Sequence, residues 1–263
     1  PPFPLHPGGV AALAVAAALG ARAAARHRRR SRPHEALSAV PSADAPAVSL
    51  VMGTYNQARY VDAALASIDA QTTRDFELVI IDDASTDDTV ERIRRWLPTA
   101  PVDARLIVNE RNLGACASRN LAIAQSRGEF LCGFAGDDVC EPERIEVLLS
   151  ALRSADPDVA LVYGDAWLID VDGQRVGRWF ETAPLPQGRP AFDALLEQCF
   201  ICLPAAMMRR AAFDAVGGYD ERHFIDDESL LLRLADRFEL QHVDVPVTNY
   251  RLNPEGMTRN DAY

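Results

Sequence analysis

The chain has 263 residues, of which 48% are hydrophobic and 25% charged, a composition that supports one large core or two joined halves. All 27 basic residues are arginines, and six of them lie in the first 34 residues, which contain no acid. The rest of the chain contains 21 arginines and 38 acidic residues. Nucleic-acid binding requires a basic surface that neutralises phosphates, so this acidic balance excludes nucleic acid as an expected partner.

Residues 1–47 read as an Ala/Arg-rich extension and linker. Their apolar run, residues 10–21, has 12 residues and is shorter than the roughly 20 that span a bilayer. The arginines follow this run, whereas in a secretory signal the basic region comes first. We expect a disordered or weakly helical segment in a cytoplasmic protein. The alternative is weak peripheral contact between the arginines and anionic lipid at the inner face of the membrane.

Strands and helices alternate from residue 48. Predicted strands cover residues 48–52, 76–81, 106–108 and 129–134. Predicted helices cover residues 59–71, 89–96, 114–126 and 142–152. Four strand–helix units in about 100 residues indicate a parallel sheet with right-handed crossovers. Residues 48–155 are therefore expected to form one half of an α/β domain.

The second half, residues 156–263, has a less regular pattern. A strand is predicted at 159–163, and a hairpin joins 166–170 to 175–180 across Asp172-Gly173. A helix at 190–198, a strand at 205–208 and a last helix that opens at Asp226-Asp227 follow. This half is expected to be mixed.

The five cysteines are predicted to be reduced core residues, because their number is odd and three lie in apolar surroundings. Cys199 and Cys202 have the spacing of a redox motif. No second pair completes a zinc site, and no thioredoxin-like context precedes them. A structural role is the expectation for both.

Three aspartate pairs stand where strands or loops end. Two follow buried strands and one opens an apolar helix: Asp82-Asp83, Asp137-Asp138 and Asp226-Asp227. Open α/β sheets bind ligands at the carboxyl ends of their strands. Neighbouring carboxylates repel each other unless donors or a cation offset the charge, and Mg²⁺ or Mn²⁺ bridging to a diphosphate meets that need. Helix capping is the alternative for Asp138 and Asp227, and it explains Asp87 and Asp88 directly.

The loop after the first strand, Gly53-Thr54-Tyr55-Asn56, is polar with one aromatic residue. Its tyrosine could stack on a base while its backbone amides face phosphate, and a turn with a packed tyrosine fits equally well. The acidic strand end at Asp82-Asp83 could accept a hydrogen bond from a base or a ribose hydroxyl.

Taken together, residues 48 to about 257 resemble the inverting, family-two glycosyltransferases of the GT-A fold. The resemblance rests on five ordered motifs: a V-S-x-x-x-x-x-Y-N opening at 48–56, an acidic strand end with S-x-D at 82–87, N-L-G-x-x-x-x-R-N at 112–120, a D-x-D-type motif ending at Asp138, and the late acidic pair at 226–227. It covers about 210 residues. It implies a Rossmann-like, mostly parallel sheet flanked by helices, with a nucleotide-sugar half at 48–155 and an acceptor-side half at 156–263.

The resemblance also implies a role for each matching residue. Tyr55 and Asp83 would contact the base, usually uracil. Around them, Thr54, Asn56 and Asp82 would line the same edge. Asn112 and Arg119 would lie near the nucleotide or donor sugar. Asp137 would face the ribose or the metal, and Asp138 would ligate Mn²⁺ or Mg²⁺. Asp227 would be the catalytic base. The implied partners are a nucleotide-sugar donor and a carbohydrate or glycolipid acceptor.

The chain departs from the family pattern in three places. Ala135 stands two residues before Asp137 where an Asp is usual, Asp226 replaces a Glu, and Asn253 stands where many members carry a His. Processive synthases add a Q-x-x-R-W motif after the base, and its absence here indicates single additions.

The expected activity is metal-assisted, inverting transfer from a UDP-sugar to an acceptor hydroxyl in surface polysaccharide or glycoconjugate assembly. A catalytically silent nucleotide-sugar-binding protein is one alternative, motivated by Ala135 and Asn253. A nucleotidyltransferase is another, but the loop at 53–56 lacks the Gly-rich, basic character that cradles a triphosphate.

Overall fold

The computed structural model describes residues 45–182, 185, 190–223, 227–254 and 256. Most of the predicted extension at 1–47 lies outside the described residues, as does Asp226. No helix within the described ranges is long and apolar enough to cross a membrane.

The first half of the chain forms a parallel layer with β1 at its centre. Strand β1 (Val48–Thr54) pairs with β2 (Phe76–Asp82) on one side and with β4 (Phe130–Ala135) on the other, and β3 (Ala104–Val108) pairs with β2. The helices of this half are α1 (Val61–Asp69), α2 (Thr89–Trp96), α3 (Ala115–Ala124) and α4 (Arg144–Ser154). All eight predicted elements of residues 48–155 are present, with ends within two residues of the prediction.

The central strands are buried on both faces, which is why they read as continuous apolar runs. Every residue of β2 is buried. Side chains alternate between two cores, because successive residues of a strand point to opposite faces. Val79 and Ile81 pack in one core, whereas Leu78 and Ile80 pack in the other. The two cores fix the sheet between helix layers and hold its carboxyl edge in place.

The second half extends the same sheet with mixed strands. The short strand β5 (Val139–Cys140) of the first half joins this part of the sheet. The elements of the second half are β6 (Val159–Ile169), β7 (Arg175–Arg178), α5 (Trp179–Thr182), α6 (Ala191–Leu195), β8 (Ala206–Arg209), α7 (Arg210–Ala215), α8 (Asp227–Arg237) and β9 (Glu239–Arg251). The described strands run in the order β3-β2-β1-β4-β8-β6-β9-β5, with β7 on β6. Strand β8 is antiparallel to both β4 and β6, while β9 is parallel to β6. The predicted parallel half and mixed half are thus confirmed.

Several details of the second half differ from the sequence expectation. The strand predicted at 159–163 continues into the first arm of the hairpin as a single β6, and the second arm ends at Arg178, where α5 begins. Strands β5 and β9 and helix α7 were not predicted. The five described thiols are free, as expected, and four of them are buried.

A buried acid anchors the amino-terminal edge of the sheet. Glu77 on β2 is fully buried and accepts hydrogen bonds from the Ser49 hydroxyl at 2.8 Å and the Arg127 amide at 2.5 Å. Its other oxygen is 2.8 Å from Arg105 Nη1 and 3.2 Å from Arg127 Nε. Burial disfavours the charge of Glu77, but these donors outweigh burial and lower its pKa.

We expect Glu77→Gln to destabilise the protein by about 3 kcal/mol at pH 7, the lower end of the cost of breaking a buried ion pair, because both arginines stay partly exposed. A lowered pKa adds stability above the unfolded-state pKa, and this is lost as pH falls through the folded-state value. Urea unfolding should therefore show that the difference in free energy of unfolding between wild type and variant becomes smaller from pH 7 to pH 3. A difference that stays constant with pH would contradict the stabilising role of the ionised Glu77 carboxylate.

Candidate active site

Three strand ends meet at the carboxyl edge of the parallel layer. The Asp83 amide donates to the Thr54 carbonyl at 2.9 Å, and the Gly136 amide donates to the Gly53 carbonyl at 2.9 Å. A Cβ atom on Gly136 would lie 2.5 Å from Gln57 Oε1 and 2.7 Å from Thr54 Cγ2, so only glycine fits this crossing. The loops after β1, β2 and β4 are thereby held side by side, where open sheets bind ligands.

Asp82 is a structural centre of this edge. Its carboxylate is fully buried and accepts hydrogen bonds from the Thr54 hydroxyl at 2.8 Å, the Ser85 amide at 2.8 Å and the Ser85 hydroxyl at 2.6 Å. These bonds fasten the loop after β2 to the end of β1. Thr54 and Asp82 are therefore brought together as the sequence predicts, with their polar atoms directed at each other.

Asp83 anchors the start of helix α3. One of its oxygens accepts from Asn109 Nδ2 and from the Leu113 amide, both at 2.8 Å, and the other accepts from the Gly114 amide at 2.9 Å. Gly114 has φ +88°, a conformation that favours glycine. Asp83 is 6% exposed, and the single donor on its second oxygen leaves acceptor capacity there.

The loop after β1 presents its aromatic residue to solvent. Tyr55 is 44% exposed. Asn56 has φ +51°. Its side-chain oxygen accepts a hydrogen bond from the Thr86 main-chain amide at 2.8 Å, and its main-chain amide donates to the Ser85 hydroxyl. Asn56 thus ties the two loops together beneath an exposed ring. Asn112 is also exposed, and its side-chain oxygen accepts from the Gly114 amide at 3.1 Å.

The two aspartates after β4 differ in burial and in hydrogen-bond partners. Asp138 is 2% exposed; one oxygen accepts from the Arg251 amide at 2.9 Å, and the other is buried with no partner among the described residues. Asp137 is half-buried and accepts from Asn253 Nδ2 at 3.1 Å. Burial and the charge of Asp137 raise the pKa of Asp138 to about 8, and burial also raises the pKa of Asp137.

These residues fit a divalent cation. The unpartnered buried oxygen of Asp138 lies on a carboxyl next to a second carboxyl, and a bound cation would offset the charge that burial and repulsion disfavour there. The described part of the chain holds no group of three or more His, Cys, Asp or Glu side chains suited to a metal. One or two carboxylates together with substrate phosphates are the usual protein environment of Mg²⁺.

Asp227 lies in the first turn of helix α8. Its Oδ1 atom is 3.1 Å from Arg119 Nη1, and the Asp227 side chain is 30% exposed. Burial disfavours the charge of Arg119, but Asp227 outweighs burial and raises the pKa of Arg119. Arg119 also stands 5.6 Å from the centre of the Tyr219 ring.

Helix α3 connects the end of β2 to Asp227. Its amino terminus is held by Asp83, and Arg119, one turn further on, reaches Asp227, 108 residues away in sequence. Sequence reasoning missed Asn109 and Arg251 and did not predict that Ser85 of the S-x-D motif binds Asp82, although Asn109 follows β3 directly and a polar residue at a strand end was a usable signal. Nothing in the sequence indicated the long-range contacts of Arg251.

Residues 49–217 match the family model described as Glycosyl transferase family 2. The chain is 34% identical over 131 residues to an uncharacterized glycosyltransferase of Methanocaldococcus jannaschii, covering 49% of this chain and 45% of that protein. It is 28% identical over 163 residues to WfgD of Escherichia coli, a UDP-Glc:alpha-D-GlcNAc-diphosphoundecaprenol beta-1,3-glucosyltransferase, covering 62% of this chain and 60% of that protein. The chain thus spans less than two thirds of either relative.

Solved structures share the fold. S. aureus TarS 1–349 in complex with UDP-GlcNAc superposes with a TM-score of 0.64 at 20% identity, over 82% of this chain and 61% of that one. Mannosyltransferase PcManGT from Pyrobaculum calidifontis, in complex with GDP-Man and Mn²⁺, gives 0.62 at 22% identity, over 94% and 70%. The fold is that of the GT-A glycosyltransferases. With a family model that matches well over half of its length, the chain belongs to glycosyl transferase family 2.

Proposed function

We propose that this protein transfers a sugar from a UDP-sugar to an acceptor hydroxyl with inversion, one sugar at a time and with a divalent cation. The observation that carries the proposal is the joining of the strand-end aspartates to Asp227 through helix α3 and Arg119. Recognition, charge compensation and proton acceptance could then take place along one edge of the sheet.

The donor would bind across the loops after β1 and β2. Tyr55 offers an exposed ring on which a uracil can stack. Asp83 retains acceptor capacity for a base N–H. The buried hydrogen bond from Thr54 to Asp82 and the exposed hydrogen bond from the Thr86 amide to Asn56 hold the two loops in place. Asn112 and Arg119 would lie along the diphosphate and sugar. A preformed site of this kind loses little conformational entropy when the donor binds.

The Asp137 and Asp138 carboxylates would hold Mn²⁺ or Mg²⁺ together with the diphosphate. A bound cation acts there as a Lewis acid that offsets the charge of the leaving group. The amide of Asn253 orients Asp137 through the 3.1 Å hydrogen bond. Ala135, where a third carboxylate would be expected, leaves two carboxylates on this loop.

Asp227 would act as the general base. Its Oδ2 atom has no donor among the described residues, while Oδ1 is held by Arg119. The acceptor oxygen forms a bond to the anomeric carbon as the bond from that carbon to the diphosphate oxygen breaks, and the hydroxyl proton passes to Asp227. One such displacement inverts the anomeric centre. General-base catalysis contributes typically about 10²–10⁴-fold to the rate.

The acceptor is proposed to be a carbohydrate or a glycolipid in surface polysaccharide or glycoconjugate assembly. WfgD, whose name specifies a diphosphoundecaprenol-linked sugar as acceptor, supports a glycolipid as the acceptor.

A thermal-shift screen tests the donor. UDP, GDP, ADP and CMP would each be added with and without Mn²⁺, since a ligand that binds the native state raises the melting temperature. We expect UDP plus Mn²⁺ to give the largest rise in melting temperature. In a separate assay, we expect sugar transfer from a UDP-sugar when an acceptor is supplied. Binding without transfer to any acceptor would favour the silent binding protein. Pyrophosphate release from a nucleoside triphosphate and a sugar phosphate would favour the nucleotidyltransferase.

Tyr55→Ala should weaken UDP binding by about 5- to 150-fold, because stacking on an aromatic ring is worth about 1–3 kcal/mol per base. Tyr55→Phe keeps the ring and should bind UDP like wild type. Leu196→Ala, which truncates an exposed side chain on the second half, is a control for general surface effects. Isothermal titration with UDP measures all four proteins. Equal affinity of the alanine and phenylalanine variants would remove Tyr55 from the base site.

A further inference from the structure

The guanidinium of Arg251 joins three segments of the chain. Arg251 ends β9 and is 7% exposed. Its Nε atom donates to the Asp137 carbonyl at 2.7 Å, and its Nη1 atom donates to the carbonyls of Asp170 at 2.8 Å and Val171 at 3.2 Å. The same group stands 4.7 Å from the centre of the Tyr60 ring.

The segments that meet at Arg251 come from both halves of the domain. Asp137 lies in the loop after β4, Asp170 and Val171 begin the turn between β6 and β7, and Tyr60 precedes α1. The same turn makes a second contact with the first half through the exposed ion pair of Asp172 and Arg59 at 3.2 Å. An exposed pair of this kind contributes little. The buried guanidinium is therefore the main polar tie between the turn and the loop.

The contacts of Arg251 are of a kind that fixes geometry. In the described part of the chain its side chain forms no ion pair within 4 Å; its acceptors are carbonyl oxygens in three successive hydrogen bonds. A planar fork held through both Nε and Nη1 has little freedom to rotate. Its main-chain amide also donates to Asp138 Oδ1 at 2.9 Å, so one residue fixes the backbone of Asp137 and the side chain of Asp138.

We propose that Arg251 is a positioning residue, which holds the Asp137–Asp138 loop in its cation-binding arrangement by tying it to the β6–β7 turn. This inference rests on the proposed function, because the loop is there assigned to the metal. The acceptor-side half thereby contributes to the donor site, because the orientation of the two carboxylates depends on the β6–β7 turn.

Arg251→Met is the first test, with Arg209→Met as its matched control. Arg209 donates to the carbonyls of Val159 at 3.0 Å and Leu152 at 2.9 Å and stands 5.7 Å from the Phe130 ring, so it makes the same kinds of contact at the opposite end of β4. Replacement by Met keeps the Arg251 amide and its bond to Asp138. Both variants remove the hydrogen bonds of one guanidinium to backbone carbonyls. Only Arg251→Met removes a hydrogen bond to the Asp137–Asp138 loop.

Mn²⁺ binding in the presence of UDP, followed by the electron paramagnetic resonance of free Mn²⁺, is the first readout. We expect Arg251→Met to weaken Mn²⁺ binding by about 10- to 100-fold, the usual effect of removing a group that orients metal ligands. UDP binding without metal should change less than about threefold, and Arg209→Met should bind Mn²⁺ like wild type. Wild-type Mn²⁺ affinity in Arg251→Met, at a melting temperature lowered as in Arg209→Met, would overturn the proposal.

Amide hydrogen exchange in the metal-free protein is the second readout. Arg251→Met should speed exchange in peptides that cover residues 136–140, and Arg209→Met should not. Because this readout needs no metal, it separates the two hypotheses. If wild type binds no Mn²⁺ the metal part of the proposed function fails, and exchange alone then decides whether Arg251 holds the loop. Unchanged exchange at residues 136–140 would overturn the inference.

Arg251→Lys distinguishes the fork from the charge. Lysine keeps the positive charge but cannot donate to Asp137 and Asp170 from fixed positions. We expect its Mn²⁺ affinity to stay severalfold below that of wild type. Full recovery with lysine would mean that charge alone suffices, and the positioning role would be wrong.

Discussion

Asp227→Asn is expected to lower the rate of sugar transfer by about 10²–10⁴-fold and to leave nucleotide binding unchanged. The range is the usual contribution of a general base. Asparagine has the size of aspartate and serves equally well at the start of a helix. The substitution therefore removes proton acceptance while keeping the helix-capping role that Asp227 could otherwise have.

The measurement is single-turnover transfer from the donor identified in the nucleotide screen, with UDP affinity measured alongside. Glu228→Gln is the matched control, since Glu228 is the other acid in the first turn of α8. A loss of the ion pair with Arg119 could also lower stability, so melting temperatures would be compared. Transfer by Asp227→Asn within about threefold of wild type would exclude Asp227 as the base.

The first half of the fold was predictable because its strands are buried on both faces. Strand β2 reads as an unbroken apolar run, and every one of its residues is buried. Helix α2 was predicted with its observed ends, residues 89–96. In such segments the hydrophobic pattern, the turn residues and the final packing all favour the same structure.

The second half was less predictable because its strands are partly exposed and irregular. Strand β9 has 13 residues, all of its first eight are exposed or half-buried, and it contains Pro246. Its register with β6 shifts three times, so no single alternation of apolar residues runs along it. Tertiary pairing with β6 and β5 determines this strand more than its local sequence does.

The site was predictable in position but not in orientation. The sequence placed acids at strand ends, yet neighbouring residues there face different surroundings: Asp138 is buried and Asp137 is half-buried. Asp82 turns its whole carboxylate to Thr54 and Ser85. Partners such as Arg251, 113 residues beyond Asp138, come together only through the sheet order, which local pattern does not encode.

Asp137→Asn is expected to lower transfer by about 10²-fold or more and to abolish the rise in melting temperature that Mn²⁺ gives with UDP. The Lewis-acid role of a metal is worth several kcal/mol, and each 1.4 kcal/mol is about tenfold in rate. Asp172→Asn is the control, because Asp172 is an exposed acid whose ion pair with Arg59 contributes little. Retention of the Mn²⁺ response in Asp137→Asn would contradict the assignment of this carboxylate to the metal.

Asp138→Asn should lose the Mn²⁺ response as well, but with a different effect on the metal-free protein. Asp138 is buried beside Asp137, and one of its oxygens has no partner among the described residues. At a pH above about 8, where Asp138 is ionised despite its raised pKa, a neutral amide of the same shape removes the buried charge and its repulsion from Asp137, so the metal-free variant should melt there at or above the wild-type temperature. A variant that loses both the metal response and several degrees of stability would instead mark Asp138 as a structural residue. If Asp138 serves to bind the cation and not to stabilise the fold, the variant should retain its stability and lose the Mn²⁺ response.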